Sequence, residues 1–353
     1  MRISKYPEGA LGIFSARNSG TQLFEGDFTT SGRVALLRLL SKLVPANSLI
    51  LFPAYHCIAL SETCLNAGYR ISYYRISENF HPELDDIRSI LDAERVEAIV
   101  LIHPFGVILD SSELANICKE SSTYLIEDVA HFDTNSEEIM RKIPFHGDAL
   151  IASPRKFYGV YDGGFLMCKK GVFTRKSQRK RFGYEARSIK YFLSKSLGNT
   201  SVSLEYSRIE KTPKNSDIRE MGYIDPRFDP NGQWVISTLS KFILKNTSTT
   251  KVHSIRSRNY EGIVEGLRNL STGRVVLETE PLNAYVVPYF IDDPNTYYAI
   301  RDAGIEAMRW EGISAMGCPV ADLYQDHLIQ LPCHQSMNGN DVDFVCETLK
   351  SLQ

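Results

Sequence analysis

The sequence has no two cysteines at CxxC spacing and no even cysteine count. Its seven, Cys57, Cys64, Cys118, Cys168, Cys318, Cys333 and Cys346, are scattered, most of them within apolar runs. That distribution argues against a disulfide framework or a zinc ribbon and for reduced thiols in a core. Neither charge is in excess. The 40 basic residues face 42 acidic ones, a net charge of -2, so nothing draws the whole molecule to nucleic acid or to a membrane surface. No uninterrupted apolar run is long enough for a bilayer, and Met1–Pro7 lacks the apolar centre of a signal peptide. The expectation is a cytoplasmic protein with no nucleic-acid and no membrane partner. Internal repeats are absent as well. What is present is a globular composition, 43% hydrophobic and 23% charged over 353 residues. That length implies one large and one smaller domain.

Short β-rich runs alternate with helical patterns through the first half. Leu49–Phe52, Arg70–Ile76, Ala98–His103, Tyr124–Glu127, Asp148–Ala152 and Gly164–Cys168 read as strands. Ser31 reads as the N-cap of an apolar helix through Val34–Leu40. Asp110-Ser111-Ser112-Glu113 predicts a capping-box start for a helix over Leu114–Lys119. Strand–helix–strand repetition predicts a mostly parallel, twisted sheet covered on both faces. Basic residues crowd Lys169–Arg181, either a solvated face or an anion-attracting surface. Residues 187–235 are polar and contain Pro213, Pro226 and Pro230, without a clear pattern. Periodicity returns over Trp234–Leu244 and in a helix carrying Arg256-Ser257-Arg258-Asn259-Tyr260. The last third offers strands near Val275–Leu277 and Ala284–Ile291 and helices near Thr296–Ala303 and Asp341–Leu352, a small α+β domain.

Two segments carry chemistry. Ile126-Glu127-Asp128-Val129-Ala130-His131 sets a carboxylate and an imidazole just past an apolar run. Ser153-Pro154-Arg155-Lys156, followed by Asp162-Gly163-Gly164, sets a lysine in a turn-rich loop after another. Strand ends are where ligand chemistry collects in α/β proteins. A lysine and a carboxylate so placed suit pyridoxal 5'-phosphate (PLP), which needs a lysine to condense with its aldehyde and an acid partner for its ring nitrogen. Each residue also has a plainer reading: Lys156 as a surface lysine, Asp128 as a helix N-cap, Ser31 and Gly32 as simple capping, and His131 and His103 as buried structural histidines.

Taken in order, the motifs resemble the DegT/DnrJ/EryC1/StrS aminotransferases, the sugar-aminotransferase branch of the fold-type I PLP enzymes. They are Ser31-Gly32-Arg33, Phe52-Pro53-Ala54-Tyr55-His56-Cys57, His103-Pro104-Phe105-Gly106, the Glu127–His131 segment and the Ser153–Gly164 segment. The Arg256–Tyr260 helix, Gly304-Ile305, Trp310 and Leu331-Pro332-Cys333-His334 resemble the family's small domain. The resemblance implies a three-layer αβα PLP-binding large domain, with the N-terminal segment, over residues 1–245, and a small C-terminal α+β domain over 246–353. It makes Lys156 the cofactor-bonding lysine and proton shuttle, and Asp128 the partner of the ring nitrogen. His131 falls near the phenolic oxygen or ring face. Ser31, Gly32 and Arg33 at a helix N-terminus, with Ser153, fall at the phosphate. Tyr55, His56 and Cys57 sit where a residue stacks on the ring. Alternation along an extended segment leaves open which one faces it, and alignment on Pro53 puts the usual aromatic position at Cys57.

The chain departs from the family pattern twice. Ile151 stands where a serine is common, leaving Ser153 as the local substitute. Met221-Gly222-Tyr223-Ile224-Asp225 lacks the asparagine of a Gly-Tyr-Asn segment that reaches the partner's phosphate, with Ser237 and Asn231 as candidate replacements. By resemblance the protein is a homodimer that moves an amino group from glutamate to a nucleotide-linked keto-deoxysugar, for polysaccharide or glycosylated-metabolite biosynthesis. Two rivals are a non-nucleotide carbonyl acceptor and a non-catalytic binding or regulatory relative. The Asp128–Lys156 pair argues against the second.

Overall fold

The computed structural model describes residues 3–4, 26–169, 182–196, 232–268, 270–271, 273–277, 280–310 and 317–352. A seven-stranded sheet is built from β1 (Asp27–Thr29), β2 (Leu49–Pro53), β3 (Arg70–Tyr74), β4 (Ala98–Ile102), β5 (Tyr124–Asp128), β6 (Ala149–Ala152) and β7 (Gly164–Cys168), in the order β1-β7-β6-β5-β4-β2-β3. Strands β2 to β6 run parallel. Strand β7 is antiparallel to β6 and to β1. All six strands expected in this half are present, and the sheet is mixed rather than purely parallel.

The strands read as unbroken apolar runs because both faces are covered. Period-2 alternation then sorts them. Ile50, Phe52, Val100, Ile126 and Ile151 pack under Leu36, Leu39 and Leu40 of α1 (Gly32–Leu43). The intervening Leu49, Leu51, Ile99, Leu101 and Leu125 pack against Ile87 of α3 (Leu84–Ala93) and Leu114 and Ile117 of α4 (Ser112–Glu120). Helix α2 (Ile58–Asn66) follows β2, and α5 (Glu137–Lys142) follows β5. The result is the three-layer αβα arrangement. Each fully buried Leu or Ile contributes about 1.5–3 kcal/mol.

The capping box expected at α4 does not form. Asp110 Oδ1 accepts the Ser112 amide, Ser111 turns its hydroxyl to buried Glu127 at 3.2 Å, and Glu113 pairs with Arg88. A buried carboxylate competes better for the serine than its own helix end does. Helix α6 (Phe182–Ser196) lies in a stretch whose sequence shows no clear pattern.

After α7 (Thr238–Asn246) and α8 (Thr249–Leu267), the chain forms an antiparallel sheet of β8 (Gly273–Val275), β9 (Val286–Ile291), β10 (Met308–Arg309) and β11 (Leu328–Pro332). Its order is β10-β11-β9-β8. One face packs on Tyr260 and Ile263 of α8 and on Val345 and Leu349 of α11 (Gly339–Ser351). The other face, through Val286, Phe290 and Leu328, enters the core of the large layer. Helices α9 (Thr296–Asp302) and α10 (Pro319–His327) complete it. Near the chain start, Ile3 bridges to Ile305. All seven cysteines are free; Cys57 is exposed and Cys168 partly so. Among the described residues no helix is long and apolar enough to cross a membrane.

Candidate active site

The parallel strands deliver the predicted residues to one edge of the sheet. Asp128, the last residue of β5, pairs in register with Ile102 of β4 and Ile151 of β6. One strand over, β6 runs into Ser153 and a short 3-10 turn, Pro154–Lys156, where the Lys156 amide bonds to the Ser153 carbonyl at 2.9 Å. The Lys156 ammonium acts electrostatically on both Asp128 and His131. It lies 5.4 Å from the centroid of the Tyr285 ring.

Asp128 is 7% exposed, and its Oδ1 accepts the Ala130 amide at 2.8 Å. Burial holds its carboxyl above the ordinary range, although Lys156, the Ala130 amide and His103 pull the other way. His131 is buried, and its Nδ1 accepts the Phe105 amide at 2.9 Å. That bond fixes the neutral tautomer with its proton on Nε2. Burial first, and the Lys156 charge second, keep the imidazole well below its usual pKa. Phe105 makes this possible from a left-handed conformation, φ 53°, uncommon for a bulky residue and found at sites where surrounding structure enforces it. Gly106 follows at φ 91°, where an added Cβ would meet the Asn283 carbonyl at 2.0 Å. Asn283 in turn donates to the His131 carbonyl.

Helix α1 starts beside this edge. Ser31 is its N-cap, accepting the Val34 amide, so the plain capping role does hold. A Cβ on Gly32 would come 3.3 Å from the Ala152 carbonyl and 3.6 Å from Ser153 Cβ, and one on Gly164 would collide with Ser31 at 2.1 Å. Glycine at both places lets the helix N-terminus, the end of β6 and the start of β7 converge. Arg33 is half-buried, within electrostatic reach of Glu62 on α2. Ile151 points into the core beneath α1. Ser153, two residues on and therefore on the same face, is buried beside the start of that helix.

Tyr55, His56 and Cys57 separate. His56 is fully buried, with Nδ1 2.8 Å from the Pro53 carbonyl and Nε2 2.9 Å from Ser61 Oγ. Tyr55 packs its ring against Trp310 at 5.2 Å, Tyr324 at 5.6 Å and Phe80 at 6.4 Å. Cys57 is exposed at the start of α2. His103 is structural: its Nδ1 accepts the Leu109 amide, so Nε2 donates to Glu127 at 2.9 Å. Ser237 is buried and bonded to Asp162 through both its amide and its hydroxyl. Asn231, Met221–Asp225 and residues 170–181 lie outside the described residues.

The small layer adds groups to which the sequence reading assigned no role. Arg256 of α8 is 1% exposed and donates to the carbonyls of Tyr285 at 3.0 Å and Lys156 at 3.4 Å, and to Gln335 at 2.8 Å. Gln335 donates to the Phe157 carbonyl at 2.6 Å. The two hold the backbone around Lys156. The signal was an arginine on the apolar stripe Val252, Arg256, Tyr260, Ile263. Tyr285 stacks on His131 at 4.4 Å, and Trp310 at 5.5 Å.

Residues 28–187, which contain Asp128 and Lys156, match the DegT/DnrJ/EryC1/StrS aminotransferase family. This segment is similar to that family. The family is one of PLP-dependent aminotransferases, and the donor set suits PLP: a buried carboxylate held above its usual range, a neutral histidine with a fixed tautomer, a lysine whose charge reaches both and a glycine-lined helix N-terminus. Solved structures share the fold across nearly the whole chain. The aminotransferase PseC of Helicobacter pylori, involved in pseudoaminic acid biosynthesis, aligns with a TM-score of 0.66 at 12% identity, over 96% of this chain and 92% of that one. The aminotransferase TlmJ of Streptoalloteichus hindustanus gives 0.63 at 16% identity, over 92% and 85%. The sugar aminotransferase CalS13 of Micromonospora echinospora gives 0.57 at 17%, over 92% and 87%. No curated protein matches the sequence.

Proposed function

We propose that the chain transfers an amino group from an amino acid, with glutamate as donor, to a keto-sugar, specifically a nucleotide-linked keto-deoxysugar. Its setting is polysaccharide or glycosylated-metabolite biosynthesis, in the cytoplasm and as a homodimer. The observation that carries this reading is the meeting of Asp128 and Lys156 at one strand edge, where the lysine's charge is the chief force opposing burial at the aspartate. The likeness of the fold to sugar aminotransferases supports the acceptor class.

When bound, PLP supplies an electrophilic aldehyde and an electron sink for the carbon being deprotonated. Lys156 would hold it covalently and, once displaced by substrate, its free amine would move the proton at that carbon. The Asp128 carboxylate would keep the ring nitrogen protonated by charge. His131, its Nδ1 occupied, would present Nε2–H to the phenolic oxygen. The first turn of α1 at Ser31, Gly32 and Arg33, with the Ser153 hydroxyl, would hold the phosphate. Tyr55 or Cys57 would lie against the ring, and Arg256 and Gln335 hold the backbone of the Lys156 turn.

The half-reactions separate the parts of this reading. Glutamate alone should shift the absorbance of the PLP-loaded protein and release an equimolar amount of 2-oxoglutarate. A panel of nucleotide-linked keto-deoxysugars should then contain a member that restores the spectrum. A spectrum unmoved by glutamate and the other common amino donors would overturn transamination. Restoration by non-sugar carbonyls alone would overturn the acceptor class.

A further inference from the structure

Two buried polar side chains, Tyr55 and Gln330, have no hydrogen-bond partner. Tyr55 is 5% exposed and Gln330 1%; the Tyr55 hydroxyl and both amide atoms of Gln330 are sealed from solvent without a hydrogen bond. Gln330 lies on β11 between Ile329 and Leu331, which enter the helix-side core. By alternation its side chain therefore leaves on the opposite face, with Leu328. Leu328, with Phe290 and Val286 of β9, belongs to the cluster that also contains Tyr55, Phe105 and Tyr285. Phe290 meets Tyr324 at 6.4 Å, and Tyr324 meets Tyr55 at 5.6 Å. Met308, opposite Gln330 in register, puts Trp310 on the same face two residues later. Trp310, still partly exposed, bridges Tyr55 at 5.2 Å to His131 at 5.5 Å.

An aromatic run thus leads from Lys156 and Tyr285 through His131 and Trp310 to Tyr55, with the Gln330 amide on the facing sheet. Phenylalanine and leucine would fill these two positions without an unpaired polar group, which destabilises a fold. Native proteins break that rule chiefly at functional sites.

We propose that Tyr55 and Gln330 are the acceptor-reading pair of the site, binding the hydroxyl and carbonyl groups of a neutral polyhydroxylated ring whose apolar face lies on Trp310. The pair combines one hydroxyl with an amide that offers two donors and an acceptor, and neither residue carries charge, so the class recognised is a sugar ring rather than a carboxylate or a phosphate. Access requires Trp310 to swing off His131, opening the layer between the two sheets. This inference rests on the sugar-acceptor reading above.

The test compares wild type, Tyr55→Phe and Gln330→Leu, all PLP-loaded, in the glutamate half-reaction and in the acceptor half-reaction with the panel of nucleotide-linked keto-deoxysugars. Tyr55→Phe keeps the ring and removes only the hydroxyl. The ratio of acceptor to donor kcat/KM should fall about tenfold or more in each variant, because a site built to bond a hydroxyl loses its discrimination with the bond. An unchanged ratio with an active wild type overturns the pair and leaves the aminotransferase reading standing. Inactivity of the wild type toward every sugar in the panel overturns the acceptor reading instead. The melting temperature of the cofactor-free proteins then decides the pair alone. Gln330→Leu should melt at or above the wild-type temperature, since it removes an unpaired amide. A clear fall would show that the amide is structurally partnered, and would overturn its assignment.

Discussion

Glu127 and Asp128 are consecutive, end the same strand and are both buried, yet their environments drive them in opposite directions. On one face of β5, Glu127 Oε1 accepts the amides of Gly147 at 2.6 Å and His146 at 3.0 Å and the Ser111 hydroxyl, while Oε2 faces His103. Burial alone would push its carboxyl up; the His103 hydrogen bond and the two amides outweigh it and hold it below the ordinary range. On the other face, Asp128 has the Ala130 amide as its hydrogen-bond donor, and burial prevails over Lys156. Donor count decides which effect wins. A carboxylate with four donors anchors β4, β5 and the β6 entrance; one left underprovided is set up for a ligand that brings its own positive charge.

The largest effect that could break this contrast is on turnover. Asp128→Asn should keep the fold and some PLP binding, yet lower kcat by roughly 10²–10³-fold, the scale of losing one electrostatic group aimed at developing charge. The cofactor-free variant should melt higher at pH 7. A raised folded pKa means that the ionised form present at neutral pH weakens the fold, and the amide is free of that charge. Near-wild-type turnover would place the ring partner elsewhere.

Glu127→Gln should do the reverse. Losing the charge between His103 and two amides should cost about 3 kcal/mol of unfolding free energy, as for other broken buried pairs, while the donor half-reaction per folded molecule survives. A depressed carboxylate stabilises above its unfolded pKa and loses that contribution as pH falls. The variant's deficit against wild type should therefore shrink in acid. A variant as stable as wild type at pH 7 would remove the distinction between the two carboxylates.

A smaller effect sharpens the same rule at a base. His56, fully buried, is lowered to about 4 by burial against the Pro53 hydrogen bond. The unfolded chain binds its proton first as pH drops, so stability is complete above about 6.5 and declines between there and 4, by roughly 3 kcal/mol. His56→Gln should flatten that stretch of an unfolding-versus-pH profile, measured by denaturant titration.

What could be read from the sequence follows the distance over which each feature is decided. The apolar runs of β2, β4 and β6 are unbroken because two faces are covered, and Ser31 caps α1 from three residues away, so both were visible. So was the Asp128–Lys156 pair, since each follows its strand within a few residues. The capping box at Asp110–Glu113 failed because Ser111 is claimed by Glu127, 16 residues on. The short β10 and β11 were missed because two residues, or five ending in proline, give too little periodicity. Arg256 reaches Lys156 across 100 positions, and Trp310 comes to His131 only when the small sheet docks. Those contacts depend on packing, which local pattern does not encode.

The central claim is that Lys156 holds PLP at this edge, and borohydride reduction followed by peptide mapping tests it directly. The PLP-loaded protein should be yellow, lose that colour on reduction and carry the cofactor irreversibly on the peptide containing Lys156, with Lys156→Ala unlabelled. Label on a different lysine, or none after PLP is added, would contradict it.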